Sequence, residues 1–321
     1  MKTATAAPLT PADDDCLVSM VVVSWNTREL LRACLQSALV AGRLLDRGFE
    51  ILVVDNASKD GSPEMVRESF ASVRLVENAH NAGFAAATNQ GIRESRGRHV
   101  LLLNPDTTTA PDVLAILVGF LDGHPEVGAV GPRLVGADGV QQVSCFPLPT
   151  LARELWRLFH LDELVAVGRY PARLLGSSEP QRVESVQGAC LLVRREALAE
   201  IGLLDERYFI YTEEIDLCRR LLDSGRQIYW IPRAVVVHYG GASTSQVSAR
   251  MFLELYKSKV QYFRKHAGAT GAAAYKAVLL VASLPRLVVP TLAMPFVPSR
   301  REQWRGTVKN YSSLIASLAT L

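Results

Sequence analysis

From Val18 to about Gly131, short apolar runs alternate with longer amphipathic stretches. "LVSMVVVSW" predicts a strand, and "NTRELLRACLQSALVAG" a helix with Asn26 as cap, Glu29 three residues on and Gly42 as stop. "EILVVDNASKDGSPEMVRESF" repeats the pattern, with Ser62 as cap and Pro63 at the first helical position. "VRLVENAHNAGFAAATNQGIRESRG" predicts a third strand, a glycine-bearing turn and an alanine-rich helix, and "HVLLLNPD" a fourth strand before a helix opened by Pro111. Each strand is too apolar to keep one face wet, which implies a mostly parallel sheet covered on both sides, an open doubly wound α/β unit. Ligands in such sheets bind beyond the carboxyl ends of the strands, where Asn26, Asp55 and Asp106 fall.

Beyond Gly131 the regularity fades. "GPRLVGADGVQQVS" suggests a hairpin, and the stretch from Thr150 to Val167 a helix followed by a loop rich in Arg, Pro, Gly and Ser. "VESVQGACLLVRREAL" reads as a strand leading into a short helix. "YFIYTEEIDLCRRLLDSG" reads as an amphipathic helix capped by Thr212 and stopped by Gly225, with Ile215, Cys218 and Leu222 as its core stripe. "QIYWIPRAVVVHYGG" reads as a pair of strands divided at Pro232. No repeat or low-complexity tract interrupts the chain.

Composition narrows the class. The 321 residues carry 49% hydrophobic residues and a net charge of only +3, too weak to indicate a nucleic-acid partner. The five cysteines are scattered singly, with no CxxC pair, and read as reduced thiols. "MKTATAAPLTPADDDC" has a lone Lys and no apolar run, which reads as a disordered leader over 1–16 and a cytoplasmic protein. Charge is unevenly spread: beyond Glu254 the only acidic residue is Glu302, against ten Lys and Arg. That tail favours anionic surfaces.

Several residues could carry chemistry, each with a plainer alternative. Asp106, after a buried strand, either holds a hard divalent cation that takes substrate phosphates as further ligands, or makes a turn with the threonines that follow. Asp55 either accepts a hydrogen bond from a nucleobase or orders its own loop. The small residues from Ala82 to Ala87 allow close approach of a ligand or of another helix. No GxGxxG cradle follows the first strand, which counts against a dinucleotide-binding domain. Glu213 and Glu214 open the acidic helix, where the dipole favours negative charge. Helical spacing puts Glu213, Asp216 and Arg220 on one stripe and turns Glu214 about 100° away. His238 ends a strand as either a ligand or a structural residue, and the Gly-Gly, Ser243 and Thr244 after it suit diphosphate oxygens.

Taken in order, "VVVSWN", "VVDNASKDGS", "NAGFAAATNQG", "LLLNPD", "GACLLVRR", "YTEEIDLCRR" and "HYGGAST" resemble glycosyltransferase family 2, and within it the bacterial rhamnosyltransferase-like branch. The resemblance implies a GT-A fold over 17–245, a nucleotide-sugar donor, a divalent metal (Mg²⁺ or Mn²⁺) and inversion at the anomeric carbon. It implies that Ser24, Asn26, Asp55, Asn81, Gly83, Asn89, Asn104 and Asp106 line the donor site, with Asp55 on the base. It places Asp106 and His238 as metal ligands, and Gly188, Ala189 and Cys190 on the acceptor side. The family's DxD stands here as Asn104, Pro105, Asp106, so a single carboxylate carries that motif. The general base, an Asp in a Glu-Asp pair in many members, falls on Glu214, with Glu213 and Asp216 as fallbacks. The expected reaction moves rhamnose from dTDP-rhamnose to a saccharide acceptor, possibly one on a polyprenyl diphosphate, in cell-wall or surface-polysaccharide synthesis. A UDP-sugar donor, a silent nucleotide-sugar-binding module and a nucleotidyltransferase are the alternatives, the last lacking a Gly-rich triphosphate loop after the first strand.

The extension, 246–321, contains "AVLLVASLPRLVVPTLAMPFV", long enough to span a bilayer by count. Arg286 near its centre and Pro285, Pro290 and Pro295 oppose spanning. An interfacial hairpin or broken helix lying in the headgroup zone at the inner face of the plasma membrane fits the basic flanks; a buried helix or a contact between copies in a homo-oligomer is the alternative.

Overall fold

The computed structural model describes residue 9 and residues 12–161, 167–240 and 245–321. Most of the expected leader, and the expected diphosphate turn at Ser243 and Thr244, lie outside the described residues. The chain divides into two compact units: residues 1–146, 172–209 and 213–243 form the first, and 147–171, 210–212 and 244–321 the second.

The first unit opens with the predicted alternation: β1 (Cys16–Ser24), α1 (Arg28–Gly42), β2 (Gly48–Asp55), α2 (Ser62–Ser69), β3 (Val73–Glu77), α3 (Phe84–Glu94) and β4 (His99–Leu103). β5 (Thr107–Thr109), α4 (Val113–Gly123), β6 (Val127–Val135) and β7 (Cys145–Phe146) follow. After α5 (Leu151–Leu158), which belongs to the second unit, come α6 (Ala172–Leu175), β8 (Gln181–Arg182), β9 (Ser185–Val186), β10 (Cys190–Arg194), α7 (Arg195–Ile201), α8 (Glu213–Asp223) and β11 (Gln227–His238). The main sheet runs β3-β2-β1-β4-β10-β6-β11-β5, with β8 beside β11. The first four strands are parallel, β10 is antiparallel to β4 and β6, and β11 returns to parallel pairing with β6. All nine residues of β1 and all five of β4 are buried, as a sheet covered on both faces requires. This is the mixed, mostly parallel α/β architecture expected.

Three local expectations change. "QIYWIPRAVVVH" is one strand, not two: Pro232 sits at the register shift between Ile231 and Val235, where a missing N–H costs no ladder bond. Helix starts differ by a residue. Thr27 rather than Asn26 caps α1, Gly61 at φ 80° precedes α2, and Thr212 has a left-handed backbone (φ 71°) in place of the extended one of a side-chain cap. In α8 the core face is Leu217, Cys218 and Leu221, joined by Glu213 and Asp216, while Ile215 and Leu222 are half-buried.

Trp230, near the start of β11, is fully buried. Its Nε1 donates to the Pro132 carbonyl (3.1 Å) and to Ser144 Oγ (3.0 Å), tying β6 to the segment that becomes β7. β7 pairs with β9, and the Gln187 N–H donates to the Ser144 carbonyl, so the turn at Gly188 and Ala189 leads into β10 from a fixed point.

In the second unit, α5 packs against the long helical run α9 (Ser248–Ala293), which breaks at Gly268 (φ 70°), and α10 (Arg301–Ser317) packs on α9. Thr150 caps α5 through its side chain. The buried Glu154 carboxylate accepts from Lys259 Nζ (2.8 Å), Arg157 Nη2 (2.7 Å) and the Tyr275 hydroxyl (3.2 Å). Removing one partner from such a buried group costs about 3–5 kcal/mol, so this cluster fixes how α5 and α9 meet.

Candidate active site

Three neighbouring strands end at one rim. Ser24 pairs in register with Asp55, and Asp55 with Glu77, so β2 carries the Asp55 carboxylate to the carboxyl edge beside the end of β1. Asp55 Oδ2 accepts from the Ser58 N–H (2.8 Å), but Oδ1 is buried without a partner among the described residues. Burial pushes this carboxyl above its usual range. An acceptor left unmatched inside a fold costs about 1–3 kcal/mol, a cost that a ligand N–H would relieve. The loops around it are locked: the Asn26 N–H donates to Ser58 Oγ (2.9 Å), Asn26 Oδ1 accepts from the Lys59 N–H (2.7 Å), and buried Ser24 Oγ meets Thr27 Oγ1 at 3.0 Å.

Asn81 Oδ1 accepts from the Gly83 N–H (2.9 Å), and the Gly83 carbonyl accepts from Asn56 Nδ2 (3.2 Å). Gly83 stands at φ 90°, and a Cβ there would lie 2.7 Å from the Phe209 carbonyl oxygen, so glycine is required for packing at this position. Asn89 is committed elsewhere. Its Nδ2 donates to the Leu204 carbonyl (2.8 Å) and to Glu206 Oε1 (2.9 Å), and its Oδ1 accepts from the Leu204 N–H (3.1 Å). Buried and bonded at both ends of its amide, Asn89 clamps α3 to the 204–206 loop rather than facing the rim.

Two strands along, the chain leaves β4 at Asn104, whose N–H donates to the Ala189 carbonyl (2.9 Å) and whose carbonyl accepts from Thr107 Oγ1 (2.7 Å). Cys34 Sγ packs beneath this turn, 3.5 Å from the Asn104 carbonyl oxygen, and burial pushes its thiol up to about 12. Burial also raises Cys190, so neither thiol is a nucleophile. Pairing of β5 with β11 sets Thr107 opposite His238. As a result His238 Nε2 lies 3.5 Å from Asp106 Oδ1, both side chains nearly buried, and the Tyr239 N–H donates to the Asp106 carbonyl (2.9 Å).

Gln142, which carries no recognisable motif, completes this corner. Its Nε2 donates to the His238 carbonyl (2.8 Å), an atom that can only accept, so Oε1 must be the end that faces His238 Nδ1 at 3.0 Å. Nδ1 therefore carries a hydrogen, which leaves Nε2, on the Asp106 side, as the nitrogen that a cation could use. A carboxylate and an oriented imidazole fit a divalent cation whose remaining ligands are phosphate and water. Among the described residues no three His, Cys, Asp or Glu side chains form a complete cage.

The acidic helix separates its carboxylates as its spacing dictates. Asp216 is fully buried and accepts from Arg220 Nε (2.9 Å), while that guanidinium also donates to the carbonyls of Ile201, Gly202 and Leu203. Asp216 is thus engaged in anchoring α8. Glu213 is buried; burial first, and the neighbouring Glu214 second, push its carboxyl well above its usual range, which favours the neutral acid. Glu214 is half-buried, and its side chain lies across Gly188, where a Cβ would come within 3.3 Å of Glu214 Cβ. Gly188, Ala189 and Cys190 therefore run between Glu214 and the Asn104 turn.

The chain matches the family described as "Glycosyl transferase family 2" over residues 19–202. It is 29% identical over 269 residues to the N-acetylglucosaminyl-diphospho-decaprenol L-rhamnosyltransferase of Mycobacterium tuberculosis, covering 78% of this chain and 86% of that one. Among solved structures, a mannosyltransferase of Pyrobaculum calidifontis in complex with GDP-Man and Mn²⁺ superposes with a TM-score of 0.54 at 21% identity, over 99% of this chain and 90% of the other. TarS 1–349 of S. aureus in complex with UDP-GlcNAc superposes with a TM-score of 0.51 at 15% identity, over 95% and 92%.

Proposed function

This chain belongs to glycosyl transferase family 2, and from that premise we propose that it is an inverting, metal-dependent rhamnosyltransferase using dTDP-rhamnose and an acceptor sugar carried on a polyprenyl diphosphate. What carries the reading is the approach of Asp106 and His238 to 3.5 Å at the rim that also bears Asp55 and Glu214. The free Oδ1 of Asp55 suits an imide N–H of a pyrimidine base, with Asn26 and Ser58 holding the loop that presents it.

Asp106 and His238 would hold Mg²⁺ or Mn²⁺, which when bound stabilises the negative charge that builds on the departing diphosphate. Gln142 keeps His238 in the tautomer that presents Nε2. Glu214, on the acceptor side beside Gly188, takes the proton from the attacking hydroxyl as that oxygen bonds to the anomeric carbon. The bond from the same carbon to the diphosphate oxygen breaks with inversion. A positioned base of this kind contributes about 100- to 10,000-fold. Burial shifts the neighbouring Glu213 carboxyl toward its neutral form, which lessens the negative charge beside that base.

The similarity to an enzyme acting on a decaprenol-linked N-acetylglucosamine supports a lipid-linked acceptor of that class. Such an acceptor places the work at the inner face of the plasma membrane, in cell-wall or surface-polysaccharide assembly, with the second unit meeting the lipid.

Calorimetric titration with dTDP and with UDP, each with Mg²⁺ or Mn²⁺ and again with EDTA, tests the donor. Metal-dependent binding of dTDP is expected. Preference for UDP would replace the donor, and metal-independent binding would remove Asp106 and His238 from the role given to them.

A further inference from the structure

Within the second unit, the last part of α9 is divided sharply between two faces. Leu279, Ala282, Ser283 and Pro290 are buried, and between them Arg286 donates to the Leu158 carbonyl and to the Ala282 carbonyl (2.7 Å) and lies over the Tyr311 ring. The opposite face is open. Val281, Leu284, Val288, Val289 and Leu292, with Phe296 in the turn after the helix, are 49–83% exposed and recur at helical spacing. A row of large exposed apolar side chains of this kind marks a surface that meets something.

Charge says what. α10 follows directly and presents Arg301, Arg305 and Lys309 at four-residue intervals, all exposed, with Arg300 just before them, and Glu302 is the only acidic residue after Glu254. Two copies of the chain joined across this face would bring like charges together, whereas an anionic leaflet complements them. By length and composition α9 could cross a membrane. Its inner face, however, carries Arg286 hydrogen-bonded to α5, and Pro285 and Pro290 leave carbonyls that hydrocarbon cannot satisfy.

We infer that the outward face of α9 from Val281 to Phe296 is a monotopic docking surface, lying parallel to an anionic bilayer leaflet, with the basic face of α10 at the headgroups. The inference rests on the lipid-linked acceptor proposed above only for its purpose; the surface is read from exposure and charge alone.

The test uses the full chain and two kinds of vesicle, one of pure phosphatidylcholine and one with phosphatidylglycerol at a third of the lipid. Binding is expected to the anionic vesicles, weakened at least about tenfold by Arg301→Gln/Arg305→Gln/Lys309→Gln and to a similar extent by Val288→Ser/Leu292→Ser, all at exposed positions. Depth is read from spin labels on Val281→Cys and on Leu292→Cys, the native cysteines being buried. The two sites are about 16 Å apart along the helix axis. Equal shallow depths are expected for a helix in the plane, and depths differing by half a bilayer would overturn it in favour of spanning. Equal binding to both lipids, or none, would also overturn it, as would a stable dimer in solution that Val288→Ser/Leu292→Ser dissociates. Transfer to a water-soluble diphosphate-linked N-acetylglucosamine acceptor is measured in parallel. Transfer without vesicle binding sinks the docking surface alone, and vesicle binding without transfer sinks the proposed reaction alone.

Discussion

Gln142 and His238 are joined by two hydrogen bonds, one to the imidazole Nδ1 and one to the backbone carbonyl of the same residue. The second bond fixes which end of the amide makes the first. The pair therefore sets the ring's tautomer and aims Nε2 at Asp106 before any ligand arrives. Partners of this type typically alter metal affinity by about 10- to 100-fold. Gln142→Leu is expected to weaken Mn²⁺-dependent dTDP binding by about that factor while leaving binding in EDTA unchanged, as read by calorimetry. Unchanged affinity in Mn²⁺ would show that His238 is not held through Gln142.

Glu214→Gln is expected to lower kcat by at least about 100-fold while donor affinity stays within twofold, because the carboxylate acts on the acceptor proton and not on the nucleotide. Asp216→Asn should instead lower stability, since it weakens the pairing with Arg220. Near wild-type turnover in Glu214→Gln would move the base elsewhere.

Gly188→Ala tests the placement of that base from the other side. The added methyl would stand 3.3 Å from Glu214 Cβ and 3.4 Å from Cγ, tighter than ordinary van der Waals contact, so the carboxylate must shift. Reduced kcat with unchanged donor binding and an unchanged Tm is expected.

Glu213 gives a pH signature. Its carboxyl titrates well above 4.5 in the folded chain, so between about pH 4.5 and its raised value the folded state binds more protons than the unfolded one. This contribution is present below that window and is lost as pH rises through it. Glu213→Gln, which cannot ionise, is expected to raise Tm at pH 8 and to flatten the fall in Tm between pH 5 and pH 8. An unaltered pH profile would mean that Glu213 is ionised in the fold without penalty.

Asn89→Ala separates packing from binding. Loss of three hydrogen bonds to the 204–206 loop is expected to cost about 1–3 kcal/mol in urea unfolding, with dTDP affinity unchanged. A selective loss of affinity would return Asn89 to the donor site.

The sequence by itself determined the first four strands, the helices that join them and the rim on which the site stands, while the antiparallel entry of β10 between β4 and β6 came from the fold. Apolar runs such as "HVLLL" can be satisfied only between two covering layers, and a parallel strand so covered must end where Asp55 and Asp106 end. Helical spacing likewise showed that Glu213 and Glu214 point apart. What tertiary structure alone decided is which of these polar groups are already spent. Asn89, Asp216 and Asp55 look equally available in the sequence, yet the first two are bonded to residues brought close by the fold, and Asp55 keeps one oxygen without a partner among the described residues. Gln142 gave no signal at all, because one glutamine of the Gln141-Gln142 pair gains its role only when the fold carries His238 to it. The outward face of α9 was hidden for the same reason: periodicity shows an apolar helix, but only packing against α5 and α10 shows which side is left for lipid. Local pattern is fixed by residues near in sequence, whereas the use of a donor, an acceptor or an apolar face is settled by whatever the fold sets against it.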